Sequence, residues 1–217
     1  MSLTRLALKF AAPVPRLEEF DSFLFIGPHP DDIEIGAGAT AAKLAAAGKR
    51  VSFLVCIDGR FGLQNAPRGT MPDALAAMRQ TEARASAAAL GVSDVRFLGF
   101  SDGGLYDKNE LLRAIMRAIG EVKPQVVLAP DPCVDSECHV DHLNVGECVR
   151  RAAFLMPFDD IAREYGAESA DVKALAYYMT ARPNRFVKTT GYVNKQIDAI
   201  FSNHVSQFPP GVRISTQ

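Results

Sequence analysis

Four short, mostly apolar runs, the first of them unbroken and each followed by a helical stretch, constrain the fold of this chain most. The runs are Phe23 to Gly27, Val51 to Cys56, Val95 to Phe100 and Gln125 to Pro130. A strand that faces water on one side alternates polar and apolar residues. A strand covered on both sides reads as a continuous run of Val, Leu, Ile and Phe. Between the runs, Thr40 to Gly48 and Pro72 to Leu90 are rich in Ala and Leu, with Gly48 and Gly91 as stops. Asn109 to Val122 sets Leu112, Ile115, Met116 and Ile119 at helical spacing, and a further helix is predicted over Asp141 to Phe154. Four β-α units in series predict an α/β fold, a Rossmann-like, mostly parallel sheet with helices on both faces. Beyond Pro157 the pattern is less regular. Ala174 to Thr180 and Arg185 to Thr189 read as later strands, and Val193 to His204 as a closing helix. With no repeat, low-complexity tract or linker, residues 1–217 are expected to form a single domain.

The first run leads straight into PHPDDIEIGAGAT, Pro28 to Thr40, and the fourth into a loop ending HVDH, His139 to His142. Three of the four histidines fall in these two segments. Both leave the C-terminal edge of the predicted sheet. In the common doubly wound order the first and fourth strands are neighbours, and the crevice between them binds ligands. Two distant clusters are therefore expected to converge. Neutral imidazole and carboxylate suit zinc and related ions, and a catalytic site takes three protein ligands with one position left open for water. His29, Asp32 and His142 would supply two nitrogens and one oxygen. Asp31 is then left beside the ion, free to act as a base. His139 shares a face with His142 if the helix begins early enough. Helix-capping aspartates would account for one Asp, but not for histidines after two separate strands.

Other readings of the same residues carry less. Gly36 and Gly38 form only GAGAT, without the third glycine of a dinucleotide fingerprint, and Asp58 is the one acidic residue near the end of the second strand. Close packing and a tight turn at the helix entry explain them better. Cys133 and Cys138 flank the second motif; they are expected to be small buried residues and not ligands.

The paired motifs, together with DGRFG after the second strand, RQTE in the long helix, LGVSDVRFLGFSDG around the third strand and NHVSQF near the end, resemble the LmbE-like, or PIG-L-type, N-deacetylase family. The resemblance covers most of the chain. Two positions depart from the family pattern: the glutamate that often follows the two aspartates directly is displaced to Glu34, and Ala39 stands where glycine is common. The resemblance implies metal ligands at His29, Asp32 and His142, a general base at Asp31 and a polarising histidine at His139. Asp31 would be ionised and His139 protonated in the active form, with Asp141 orienting one of the histidines. Arg79 and Asp102 would hold the sugar, with an intrahelical Arg79–Glu82 pair as the plainer role for Arg79. His204 is a further candidate for the substrate site. The implied cofactor is Zn2+, with Fe2+ chemically suited to the same ligands. The implied substrate is a small-molecule N-acylated amino sugar of N-acetylglucosamine type. A metal hydrolase of another amide or ester, a nucleotide-binding module and a non-catalytic metal binder are the alternatives.

Charge and length narrow the partners. A net charge of -1 gives no reason to expect nucleic acid or an anionic membrane. No apolar run reaches the length of a membrane span, and Lys9 interrupts the short one between Leu3 and Pro15, so neither a span nor a secretory signal is expected. Four cysteines are too few for a disulfide scaffold and suit a cytoplasmic protein. A homo-oligomer is left open.

Overall fold

Each of the four apolar runs is a strand in the computed structural model, which describes residues 14–62 and 64–209, together with residue 11. The stretch from Leu3 lies almost wholly outside the described residues. The strands are β1 (Ser22–Gly27), β2 (Arg50–Ile57), β3 (Asp94–Phe100), β4 (Val126–Pro130) and β5 (Ala174–Tyr178). The helices are α1 (Asp32–Ala46), α2 (Pro72–Leu90), α3 (Lys108–Val122), α4 (Val140–Leu155), α5 (Asp159–Glu164) and α6 (Val193–Asn203). The strands form one sheet in the order β3-β2-β1-β4-β5, and every pairing is parallel. β1 and β4 are neighbours, with Phe23 opposite Val126 and Phe25 opposite Leu128. The strand order runs outward in both directions from that pair, which makes it the switch point.

Along β1, Phe23 and Phe25 turn to one face of the sheet and Leu24 and Ile26 to the other. α1, α2 and α6 cover the first face through Ala41, Leu44, Ala87, Leu90 and Ala199. α3 and α4 cover the second through Leu112, Ile115, Met116, Val145 and Val149. Burying each such large side chain stabilises the fold by about 1.5–3 kcal/mol. With both faces filled, the sheet is a firm floor for the loops at its C-terminal edge.

Several expectations are corrected. α1 starts at Asp32, not near Thr40, so Gly36 and Gly38 lie inside a helix and not in a turn. Close packing overrides their poor helix propensity: a Cβ at Gly36 would come within 2.4 Å of the Tyr178 ring. Arg185 to Thr189 is not a strand. It follows the edge strand β5 too closely for the crossover of a dozen or more residues that a parallel pairing needs, and Phe186 is left 82% exposed. α5 was not anticipated. Cys133 and Cys138 are exposed in the loop after β4, while Cys56 and Cys148 are buried, and all four are free thiols. Among the described residues, no helix is long and apolar enough to cross a membrane.

Candidate metal centre

The turn between β1 and α1 is short and held from within. The N–H groups of Asp31 and Asp32 both donate to the His29 carbonyl, at 3.0 and 3.3 Å. Pro28 and Pro30 fix their own φ angles on either side of His29. Asp31 carries φ 150°, a conformation that costs a non-glycine residue on the order of 1–3 kcal/mol and persists only where the surroundings impose it. Arg79 of α2 is that surrounding. Its guanidinium donates to the Pro30 carbonyl at 3.1 Å and the Gly59 carbonyl at 3.2 Å, and its Nη2 lies 3.1 Å from Asp31 Oδ2.

The next side chains converge on one oxygen. Asp32 Oδ2 lies 3.1 Å from His29 Nδ1 and 3.4 Å from His142 Nε2. Ligand atoms at about 2.0–2.1 Å from a tetrahedral ion stand roughly 3.3 Å apart, so each of these two distances suits a pair of ligands on one cation. Carboxylates hold the opposite nitrogens. His29 Nε2 is 3.2 Å from Asp141 Oδ2 and 3.3 Å from Asp102 Oδ1. His142 Nδ1 is 2.9 Å from Glu137 Oε2. Such outer carboxylates orient metal-binding imidazoles and raise their basicity. Asp141 is itself fixed, accepting from the N–H groups of Gly103 and Gly104 at 2.8 Å each and from the Tyr106 hydroxyl at 2.9 Å. Both glycines have positive φ, which lets consecutive N–H groups point at one carboxylate.

α4 begins at Val140, so His139 is its N-cap residue. The His139 and His142 rings stack, with centroids 4.7 Å apart and 15° between planes. His139 Nδ1 accepts the Asp141 N–H at 3.3 Å, and the side chain remains 47% exposed. Among the described residues, the groups of three whose ligand atoms all lie within 4.8 Å of one another are His29, His139, His142 and His29, Asp102, Asp141. The whole cluster is thus a place where imidazole and carboxylate crowd together.

The electrostatics call for a cation. Burial opposes a charge on His29, but Asp102, Asp141 and Asp32 outweigh it and push its pKa up to about 11. Burial likewise opposes ionisation of Asp32, yet His142 and His29 hold it well below the usual carboxylate range. Asp31 moves the other way: burial, then the Asp32 charge, push it up to about 7. His139 falls below the ordinary histidine range through burial and the charges at His29 and His142. The donor set and this excess of buried carboxylate both fit a divalent ion.

The remaining expected residues sit elsewhere. Arg79 and Glu82 do not pair, since Glu82 accepts from the Ser206 N–H and hydroxyl at 2.9 and 2.6 Å. His204 is fully buried, with Nε2 3.2 Å from Glu34 Oε1. Two residues at the centre carried little signal in the sequence. Glu137 is marked only by lying five residues before His142, and Tyr106 by following the glycine pair.

A parallel α/β sheet with a buried histidine–carboxylate cluster at its switch point defines the class, a Rossmann-like protein with a candidate metal site. Within that class, the chain belongs to the PIG-L family, described as GlcNAc-PI de-N-acetylase, whose pattern matches residues 24–153. It is 32% identical over 213 residues to the diacetylchitobiose deacetylase of Thermococcus kodakarensis, covering 97% of this chain and 78% of that protein. It is 33% identical over 206 residues to a 1D-myo-inositol 2-acetamido-2-deoxy-alpha-D-glucopyranoside deacetylase of Kineococcus radiotolerans, covering 82% of this chain and 56% of that protein. The chain therefore spans little more than half of this second relative. The solved N,N'-diacetylchitobiose deacetylase from Pyrococcus horikoshii superposes with a TM-score of 0.85 at 27% identity, over 96% of this chain and 81% of that one. These relatives are hydrolases, deacetylases of sugars that contain N-acetylglucosamine.

Proposed function

We propose that this chain is a zinc-dependent hydrolase that removes the acetyl group from an N-acetylglucosamine-type amino sugar. The observation that carries the reading is the convergence of His29 Nδ1 and His142 Nε2 on Asp32 Oδ2, with Asp31 beside it. Two imidazoles and a carboxylate suit zinc, and ferrous iron uses the same set. His29, His139 and His142 form a poorer trio, because His139 already accepts a backbone N–H and has no carboxylate on its free nitrogen. A divalent ion bound there supplies Lewis acidity, lowering the pKa of water and polarising an amide carbonyl.

The chain's own residues do the rest. Asp31 takes the proton of the attacking water and returns it to the departing amine. A carboxyl raised to about 7 by burial and by Asp32 suits both halves of that task. Arg79 keeps Asp31 in its strained position, its two Nη atoms are taken up by Gly59, Pro30 and Asp31, and the side chain is buried, so we assign it positioning in place of sugar contact. Neutral His139 accepts at Nδ1, so its proton sits on Nε2 and can donate to the tetrahedral oxyanion. The protonated His139 expected from the sequence is not needed, and its environment disfavours it. Asp102, still partly exposed beside His29, is left for the sugar hydroxyls. His204 braces α1 through Glu34.

A nucleotide-binding role is disfavoured by charge. Phosphate would have to enter at the α1 N-terminus, where Asp31, Asp32 and Glu34 already stand. Four free thiols support a reducing compartment such as the cytoplasm.

The test is a panel of N-acetylated amino sugars given to the zinc-loaded protein. Free amine and acetate should appear from N,N'-diacetylchitobiose or simple N-acetylglucosaminides, and a chelator should stop the release. Hydrolysis of aryl acetates alone would refute the sugar reading. His139→Ala should lower kcat by roughly 10²–10³-fold, the usual loss for one oxyanion donor, at unchanged metal content. A wild-type kcat in that variant would remove His139 from the mechanism.

A further inference from the structure

We infer that Glu137 sets the affinity of the proposed metal site by fixing the tautomer and orientation of His142. This rests on the reading of His142 as a ligand. The Glu137 carboxylate has two partners. Oε2 lies 2.9 Å from His142 Nδ1, and Oε1 accepts the His139 N–H at 2.8 Å. One side chain therefore ties the body of the loop after β4 to both histidines of the HVDH segment. A neutral imidazole carries its proton on one nitrogen only. If Glu137 accepts that proton at Nδ1, Nε2 presents its lone pair, and Nε2 is the atom that faces Asp32 Oδ2 at 3.4 Å. Without this acceptor the proton can reside on Nε2, where it blocks the ligand position. The ring's other close neighbours are Asp32 Oδ2 on the Nε2 side and the stacked His139 ring, so Glu137 is the carboxylate that draws the proton to the nitrogen away from Asp32.

The symmetry of the site supports the assignment. His29 is held in the same way from its far nitrogen, but by the buried Asp141, which accepts from the Gly103 and Gly104 N–H groups, and by the partly buried Asp102, which accepts from the Phe61 N–H. Glu137 is partly exposed and lies in a loop with no regular structure. The His142 arm is thus the adjustable half of the cluster.

The experiment titrates metal-free protein with zinc in competition with a chromophoric chelator, and needs no substrate. Glu137→Ala should bind zinc roughly 10–100-fold more weakly than wild type, the range usual for lost outer partners of metal ligands. Glu137→Gln, whose amide oxygen still accepts the Nδ1 proton, should recover most of that affinity. The metal-free melting temperature of both variants should stay near wild type, since the contact acts through the ligand and not through the core. Wild-type zinc affinity in Glu137→Ala would overturn the inference. So would a Gln variant as weak as the Ala variant, or a metal-free Ala variant that melts much earlier. His142→Ala serves as the control: if it also binds zinc like wild type, it is the assignment of His142 as a ligand that has failed.

Discussion

His142→Ala is expected to be isolated without its divalent ion and to deacetylate no faster than background. Three protein ligands are the usual minimum for a catalytic zinc site, and two do not compete well with water and buffer for the ion. The ion is asked to supply several kcal/mol of transition-state stabilisation, so its loss should cost on the order of a thousandfold or more in rate. The fold should survive, because His142 lies at the sheet edge and the α4 core contacts run through Val145 and Val149. Elemental analysis and an acetate-release assay on the same preparation read both effects. Full metal occupancy with lost activity would move His142 from ligand to some other role.

Asp31→Asn should behave differently, keeping the ion while losing about 10²–10⁴-fold in kcat, the contribution of a positioned base. Asparagine retains the shape of aspartate and can still accept from Arg79, but it cannot take a proton from water. It also tolerates unusual φ better than most residues, so the strained backbone at 150° should be kept. The sign of the pH dependence follows from the same group. Asp31 works only when ionised. Burial and Asp32 push it up to about 7, and a bound cation pulls it down, so activity should rise with pH along a limb centred at or below about 7. In Asp31→Asn that limb should vanish. A metal-free Asp31→Asn would mean that Asp31 and Asp32 exchange roles.

The sheet was legible because it is buried on both faces. Phe23 to Gly27 could be read as a strand only because α1, α2 and α6 on one side and α3 and α4 on the other leave it no polar position. The convergence of His29 and His142 followed from strand order alone. What the sequence hid were contacts made by geometry and not by pattern. Gly36 and Gly38 look like helix breakers until Tyr178 and Gln196 are seen against them. Arg79 and Glu82 have the spacing of an intrahelical pair, yet each is drawn to a different loop, one to Pro30 and Asp31, the other to Ser206. Asp141 was expected to serve a histidine, but not to reach across the switch point to His29 in place of its neighbour His139, which lies at 3.9 Å. Glu137 is one acidic residue among many until its carboxylate is seen on His142.

The central claim is the location of one ion, and anomalous diffraction from zinc-soaked crystals tests it most directly. A single peak is predicted within about 2.0–2.2 Å of His29 Nδ1, Asp32 Oδ2 and His142 Nε2, with Asp31 unliganded beside it. A peak bound instead by His29, His139 and His142, or by His29, Asp102 and Asp141, would contradict the account.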